Sequence, residues 1–129
     1  MSQRRSPSVL VVDDDPPILT LVAELLTDEG YRVRAVFDGL AALAEIERDP
    51  PDVVVSDVMM PRLDGIELVR ELRRHGHAVP VVLMSAVYDD VDLPGVRFVP
   101  KPFGLDFLLE AIQGAHGKVP TGSSSGGAA

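Results

Sequence analysis

Five short runs of β-branched and apolar residues, Val9 to Val12, Val33 to Phe37, Val53 to Val55, Val81 to Met84 and Val96 to Val99, alternate with segments of helical period. This alternation restricts the fold more than any other feature of the chain. Right-handed strand–helix–strand crossovers give a parallel sheet covered by helices on both faces. Most of the runs are continuously apolar, as expected of strands with no solvent-facing side. The chain has 129 residues, enough for one such domain and a single sizeable core.

The helical segments carry their own boundaries. The first places Ile18, Leu21, Val22, Leu25 and Leu26 in a stripe and stops at Gly30; Asp15 is positioned to cap it, and Pro16-Pro17 fall where amide donors are not needed. The second starts after Asp38-Gly39, carries Leu43 and Ile46, and is ended by Asp49-Pro50-Pro51. The third starts at an Asp64 cap and carries Ile66, Val69 and Leu72 as far as His75-Gly76. The last runs from about Leu105 to Ala115, with Leu105, Leu108, Leu109 and Ile112 on one face. Between Ser85 and Val96 there is room for about one helical turn before Pro94-Gly95, so the fourth crossover helix is expected to be shortened or absent. Residues 1–7 read as a disordered tail, 8–116 as the folded domain, and 117–129 as a flexible Gly/Ser tail or linker stub.

Charge and composition narrow the function. Twelve Lys and Arg against twenty Asp and Glu give a net charge of -8, which argues against direct nucleic-acid binding and against an anionic membrane surface. There is no cysteine, hence no disulfide framework and no thiolate metal site. The N-terminus leads into too short an apolar run for a signal peptide, and no run approaches a membrane span, so a cytoplasmic location is expected.

The polar residues at the strand ends carry the chemistry. Val53-Val-Val-Ser-Asp57 delivers one carboxylate to the C-terminal end of a buried strand, where open parallel sheets place their sites. Asp13-Asp14-Asp15 follows the first strand and falls on the same edge. Crowded carboxylates repel one another unless a cation binds or a proton is retained, and hard oxygen ligands of this kind suit Mg2+. Taken singly, Asp57 also fits a polar turn residue and Asp13 to Asp15 a capping cluster. Ser85 follows the fourth strand with a hydroxyl donor, and Lys101 follows the fifth with a point positive charge. His75 and His77 flank Gly76 in a turn and lack a third ligand, which reads as surface rather than metal site.

Four motifs in order, Val9-Leu-Val-Val-Asp-Asp-Asp-Pro-Pro-Ile18, Ser56-Asp-Val-Met-Met-Pro-Arg-Leu-Asp-Gly65, Val82-Leu-Met-Ser-Ala86 and Val99-Pro-Lys-Pro-Phe103, resemble the receiver domain of bacterial two-component response regulators. The resemblance spans roughly residues 8–116. It implies a flavodoxin-like, doubly wound α/β fold with five strands in the order 2-1-3-4-5. It makes Asp57 the phospho-acceptor, with Asp14, Asp57 and the Met59 backbone carbonyl binding Mg2+ directly and Asp13 acting mainly through water. Lys101 would offset charge on the transferring group, and Ser85 and Phe98 would be the switch pair. Ala86 would be the small residue that lets the phosphoryl group approach, with structural places for Pro61, Gly65 and Pro102, and the Lys101-Pro102 peptide would be cis. The partner implied is a sensor histidine kinase or phosphotransfer protein, with a downstream protein reading the switched surface. Such a domain is not an enzyme in the wider sense, since it catalyses only its own phosphorylation and dephosphorylation. A degenerate receiver acting as a phosphorylation-independent scaffold, an Asp-nucleophile phosphohydrolase and a flavodoxin-like nucleotide binder are the alternatives. The last lacks a Gly-rich phosphate loop after the first strand, and the phosphohydrolase lacks a cap domain and a second acid placed as general acid.

Overall fold

In the computed structural model, residues 6–85, 93–100 and 104–116 are described. Nine elements follow in the order β1 (Ser8–Val12), α1 (Pro16–Asp28), β2 (Arg32–Val36), α2 (Gly39–Arg48), β3 (Val53–Asp57), α3 (Gly65–Arg74), β4 (Val81–Ser85), β5 (Val96–Pro100) and α4 (Leu105–His116). All strand pairs are parallel, and the sheet order is β2-β1-β3-β4-β5. This is the doubly wound, flavodoxin-like order that the resemblance implies. Among the described residues no helix joins β4 to β5; residues 86–92 lie outside them.

The period of two along each strand divides the core into two layers. Val9 and Val11, Val53 and Val55, and Val82 and Met84 face Leu19, Val22 and Leu26 of α1 and Leu108, Ala111 and Ile112 of α4. Leu10 and Val12, Val54, and Val81 and Leu83 face Ala42 and Ile46 of α2 and Leu68, Val69 and Leu72 of α3. The three central strands are buried along their whole length, which is why their sequences show no polar alternation. The edge strand β2 is only partly covered.

Strand β3 carries the apolar run on through Ser56 to Asp57, both buried, with β4 alongside as far as Asp57↔Met84, so the carboxylate ends the strand as expected. The structure departs from the sequence expectations in three places. Phe37 lies past the last β1–β2 pair, Val12↔Val36, and is 57% exposed. In α1 the fully buried stripe is Leu19, Val22 and Leu26, while Leu21 is exposed, since it lies about 200° round the helix from Leu19. Asp15 occupies the N-cap position without a side-chain cap bond; Pro16 and Pro17 leave no N–H at the first two helical positions, and the bond to the third, the Ile18 amide, is not made. The other boundaries follow the expected chemistry. Asp38 accepts from the Ala41 amide at 2.8 Å. Asp64 and Glu67 form a reciprocal capping box, with bonds of 2.8 and 2.9 Å.

Candidate functional site

The sheet order brings the C-terminal ends of β1 and β3 side by side, in register through Val12↔Ser56. The residues that follow those positions are Asp13 and Asp57. Carboxylate oxygens of Asp13, Asp14 and Asp57 all lie within 4.8 Å of one another. Asp13 and Asp57 are buried, 1% and 7% exposed, while Asp14 opens to solvent. One oxygen of Asp13 accepts the Asp15 amide at 2.9 Å, which fixes the turn out of β1 and so the direction of the carboxyl. Three like charges this close, two of them withdrawn from water, favour a bound cation. Oxygen donors alone, with one side open, match the preference of a small hard divalent ion that keeps several waters.

Asp57 is held from its backbone. The Ser56 hydroxyl, fully buried, donates to the Asp57 carbonyl oxygen at 2.8 Å. The same carbonyl lies against the Cα of Gly65, where a Cβ would meet it at 2.5 Å. The Val58 amide donates to the Met84 carbonyl at 3.1 Å, and the Gly65 amide closes back onto the Val58 carbonyl at 2.8 Å. The segment from Val58 to Gly65 is thus a loop tied at its neck, directly beyond the carboxylate. Met59 and Pro61 stand on it, both exposed.

Of the other residues singled out from the sequence, Ser85 is buried at the end of β4 and pairs in register with Pro100, the residue before Lys101. Phe98 is half-buried against the α2/α3 layer and sits opposite Leu83. Lys101, Pro102 and Ala86 lie outside the described residues. His75 bonds to Glu47 through Nδ1 at 2.6 Å, joining α3 to α2 on the surface. Among the described residues no metal-ligand cluster includes it.

The sequence profile of the response regulator receiver domain matches residues 9–113. The chain belongs to the response regulator receiver domain family. This receiver is 40% identical over 111 residues to the response regulator MprA of Mycobacterium leprae (strain TN), covering 81% of this chain and 49% of MprA. It therefore spans about half the length of the curated relatives it matches. Among solved structures it is similar to the receiver domain of the Francisella response regulator 1452, at 32% identity and a TM-score of 0.80, covering 89% of this receiver and 100% of that chain. It is also similar to the response regulator TrrA from Thermotoga maritima in complex with Mg2+-BeF, at 31% identity and a TM-score of 0.76, covering 84% and 98% of the two chains. Among the described residues of the receiver, no helix is long and apolar enough to cross a membrane.

Several contacts of the receiver's site leave little trace in the sequence. Ser56 is visible there only as a polar break in an apolar run. Asp38 reads as a helix cap, yet it also pairs with Arg62 on the Val58–Gly65 loop. The Ala41 amide foremost, and then the Arg62 guanidinium, hold the Asp38 carboxyl below the ordinary carboxylate range. Arg48 and then Arg34 do the same for Glu45 on α2. Both acids bind protons more weakly folded than unfolded. The stability they contribute is therefore present above about pH 4 and lost as the pH falls through their depressed folded values. In urea titrations at about pH 7 and about pH 3, the double variant Asp38→Asn/Glu45→Gln should lose less stability between the two than the wild type. Equal losses would show that these acids add nothing to the acid sensitivity.

Proposed function

We propose that the chain accepts a phosphoryl group on Asp57 in an Mg2+-dependent transfer from a sensor histidine kinase or a phosphotransfer protein, and that this switches a protein-binding surface. The observation that carries the reading is the convergence of the Asp13, Asp14 and Asp57 carboxylates at the C-terminal ends of β1 and β3. The likeness to TrrA, a protein in complex with Mg2+-BeF, supports it. Asp14, Asp57 and the Met59 carbonyl would hold Mg2+ directly and Asp13 through water; when bound, the ion neutralises charge on the incoming phosphoryl oxygens.

The rest of the chemistry belongs to the chain. A carboxylate oxygen of Asp57 attacks phosphorus, the bond from phosphorus to the donor's imidazole nitrogen breaks, and that nitrogen keeps the electron pair. Lys101 supplies a fixed positive charge to the transferring group, and Ser85 donates its hydroxyl to a phosphoryl oxygen. Ala86 leaves room for the group to approach. The phosphorylated side chain carries about -1.5 to -2 charges in place of one. Ser85 moves toward that anion, Phe98 fills the space it leaves, and the surface near β5 changes. Pro61, Gly65 and Pro102 shape the loops around the site. The domain catalyses only its own phosphorylation and dephosphorylation, acts in the cytoplasm, and makes no direct contact with nucleic acid or membrane.

The test is labelling with acetyl phosphate. We expect incorporation with Mg2+ present, its loss in excess EDTA, and its return when Mg2+ is restored. Equal incorporation with and without EDTA would contradict a metal-dependent site.

A further inference from the structure

We infer that Arg62 and Asp38 are positioning residues for the metal-binding edge: their ion pair holds the Val58–Gly65 loop in a strained turn that sets the affinity of the site for Mg2+. The inference rests on the reading of Asp57 as an Mg2+-dependent acceptor and adds to it the residues that shape the loop beside it.

Three observations converge on this loop. Arg62 has φ 70, the one described non-glycine residue in the left-handed region. The Leu63 amide donates to the Pro61 carbonyl at 2.8 Å around it. An i to i+2 hydrogen bond about a residue of positive φ is the rare and strained form of γ-turn, and an arginine has no side-chain feature that favours it. Such a conformation persists only where its surroundings over-determine it. The surroundings here are the β2–α2 turn. One guanidinium nitrogen of Arg62 pairs with Asp38 Oδ2. Next to that pair Gly39 lies so close to the loop that a Cβ would meet the Leu63 carbonyl oxygen at 2.3 Å. The loop is therefore fixed at its neck by the Gly65 amide and at its tip by Asp38 and Gly39.

The Arg62 side chain is 63% exposed, and a surface pair of this kind contributes little to global stability. Its effect is on shape. If the pair is broken, the strained turn is free to relax, and the path of the backbone through Met59 to Leu63 changes. Met59 is the first exposed residue of that path and carries the carbonyl assigned to the ion. Asp57 lies two residues before it, held through Ser56 and Gly65, so relaxation acts on one ligand and leaves the other in place.

The experiment is calorimetric titration of the whole chain with Mg2+, alongside thermal unfolding and hydrogen exchange at the Leu63 amide. Arg62→Gln removes the charge and leaves a residue for which the positive φ is still strained. Asp38→Asn removes the charge and keeps a good cap. Each should weaken Mg2+ binding by about tenfold, the usual scale for loss of a group that supports a metal ligand. The double variant should be no weaker than either single one, because the two residues act as a pair. Arg62→Lys should retain most of the affinity, since the contact uses one nitrogen and Lys supplies one charge. Asp38→Asn should also speed exchange at the Leu63 amide with little change in the unfolding midpoint. Wild-type affinity in Arg62→Gln and Asp38→Asn, with binding lost in Asp57→Asn, would overturn this inference and leave the acceptor reading intact. Wild-type Mg2+ affinity in Asp57→Asn would instead overturn the acceptor reading, and the role of the pair with it.

Discussion

Asp57→Asn should abolish phosphoryl labelling by acetyl phosphate or by a phosphorylated kinase while leaving a folded chain. The substitution keeps the size and shape of the side chain and replaces its nucleophilic carboxylate with a neutral amide, so the loss should be complete rather than partial. Architecture does not depend on that charge: β3 is held by its ladder to β1 and β4 and by buried Val53, Val54 and Val55. Far-UV circular dichroism should be unchanged and the unfolding transition should remain cooperative. Asp13 and Asp14 remain in the variant at the same edge, so residual labelling would make one of them the acceptor in place of Asp57.

A second large loss is expected at a residue with no reactive group. Gly65→Ala would place a Cβ 2.5 Å from the Asp57 carbonyl oxygen and 3.0 Å from both the Leu83 Cδ2 and the Val58 Cα. Two of those three atoms are backbone and cannot rotate away. The strand end, the loop neck or the start of α3 must shift, at a cost of about 1–3 kcal/mol, as for overpacking of a filled core. The same shift moves the carbonyl that Ser56 holds, so labelling should slow together with the drop in urea midpoint. A variant as stable and as readily labelled as the wild type would show that this close approach does not matter to the site.

These two residues differ in how far the sequence reveals them. Asp57 is legible because an apolar run ending in a carboxylate, with further acids after the first strand, places several like charges on one edge of a parallel sheet. The strands and the Asp38 and Asp64 caps are legible for similar reasons, since burial on both faces and helix starts each leave a compositional mark. The strand order does not follow from the runs themselves; the family resemblance supplies it. Leu21 and Leu19 cannot be ranked from the pattern, because a stripe in sequence does not say which of its residues meets the sheet. Phe37 is β-prone but falls one place past the final pair of an edge strand. The left-handed turn at Arg62 leaves no mark at all, because the residue has no preference for it and its ion-pair partner, Asp38, is twenty-four positions away.

Whether the phosphoryl group resides on the carboxylate at the end of β3 is decided by locating the acyl phosphate. After treatment with acetyl phosphate and Mg2+, borohydride reduction converts a phosphorylated aspartate to homoserine, and peptide mass spectrometry reads its position. Homoserine is expected at position 57 and at neither position 13 nor position 14; homoserine at one of those two, or none anywhere in the chain, would contradict the assignment of Asp57 as acceptor.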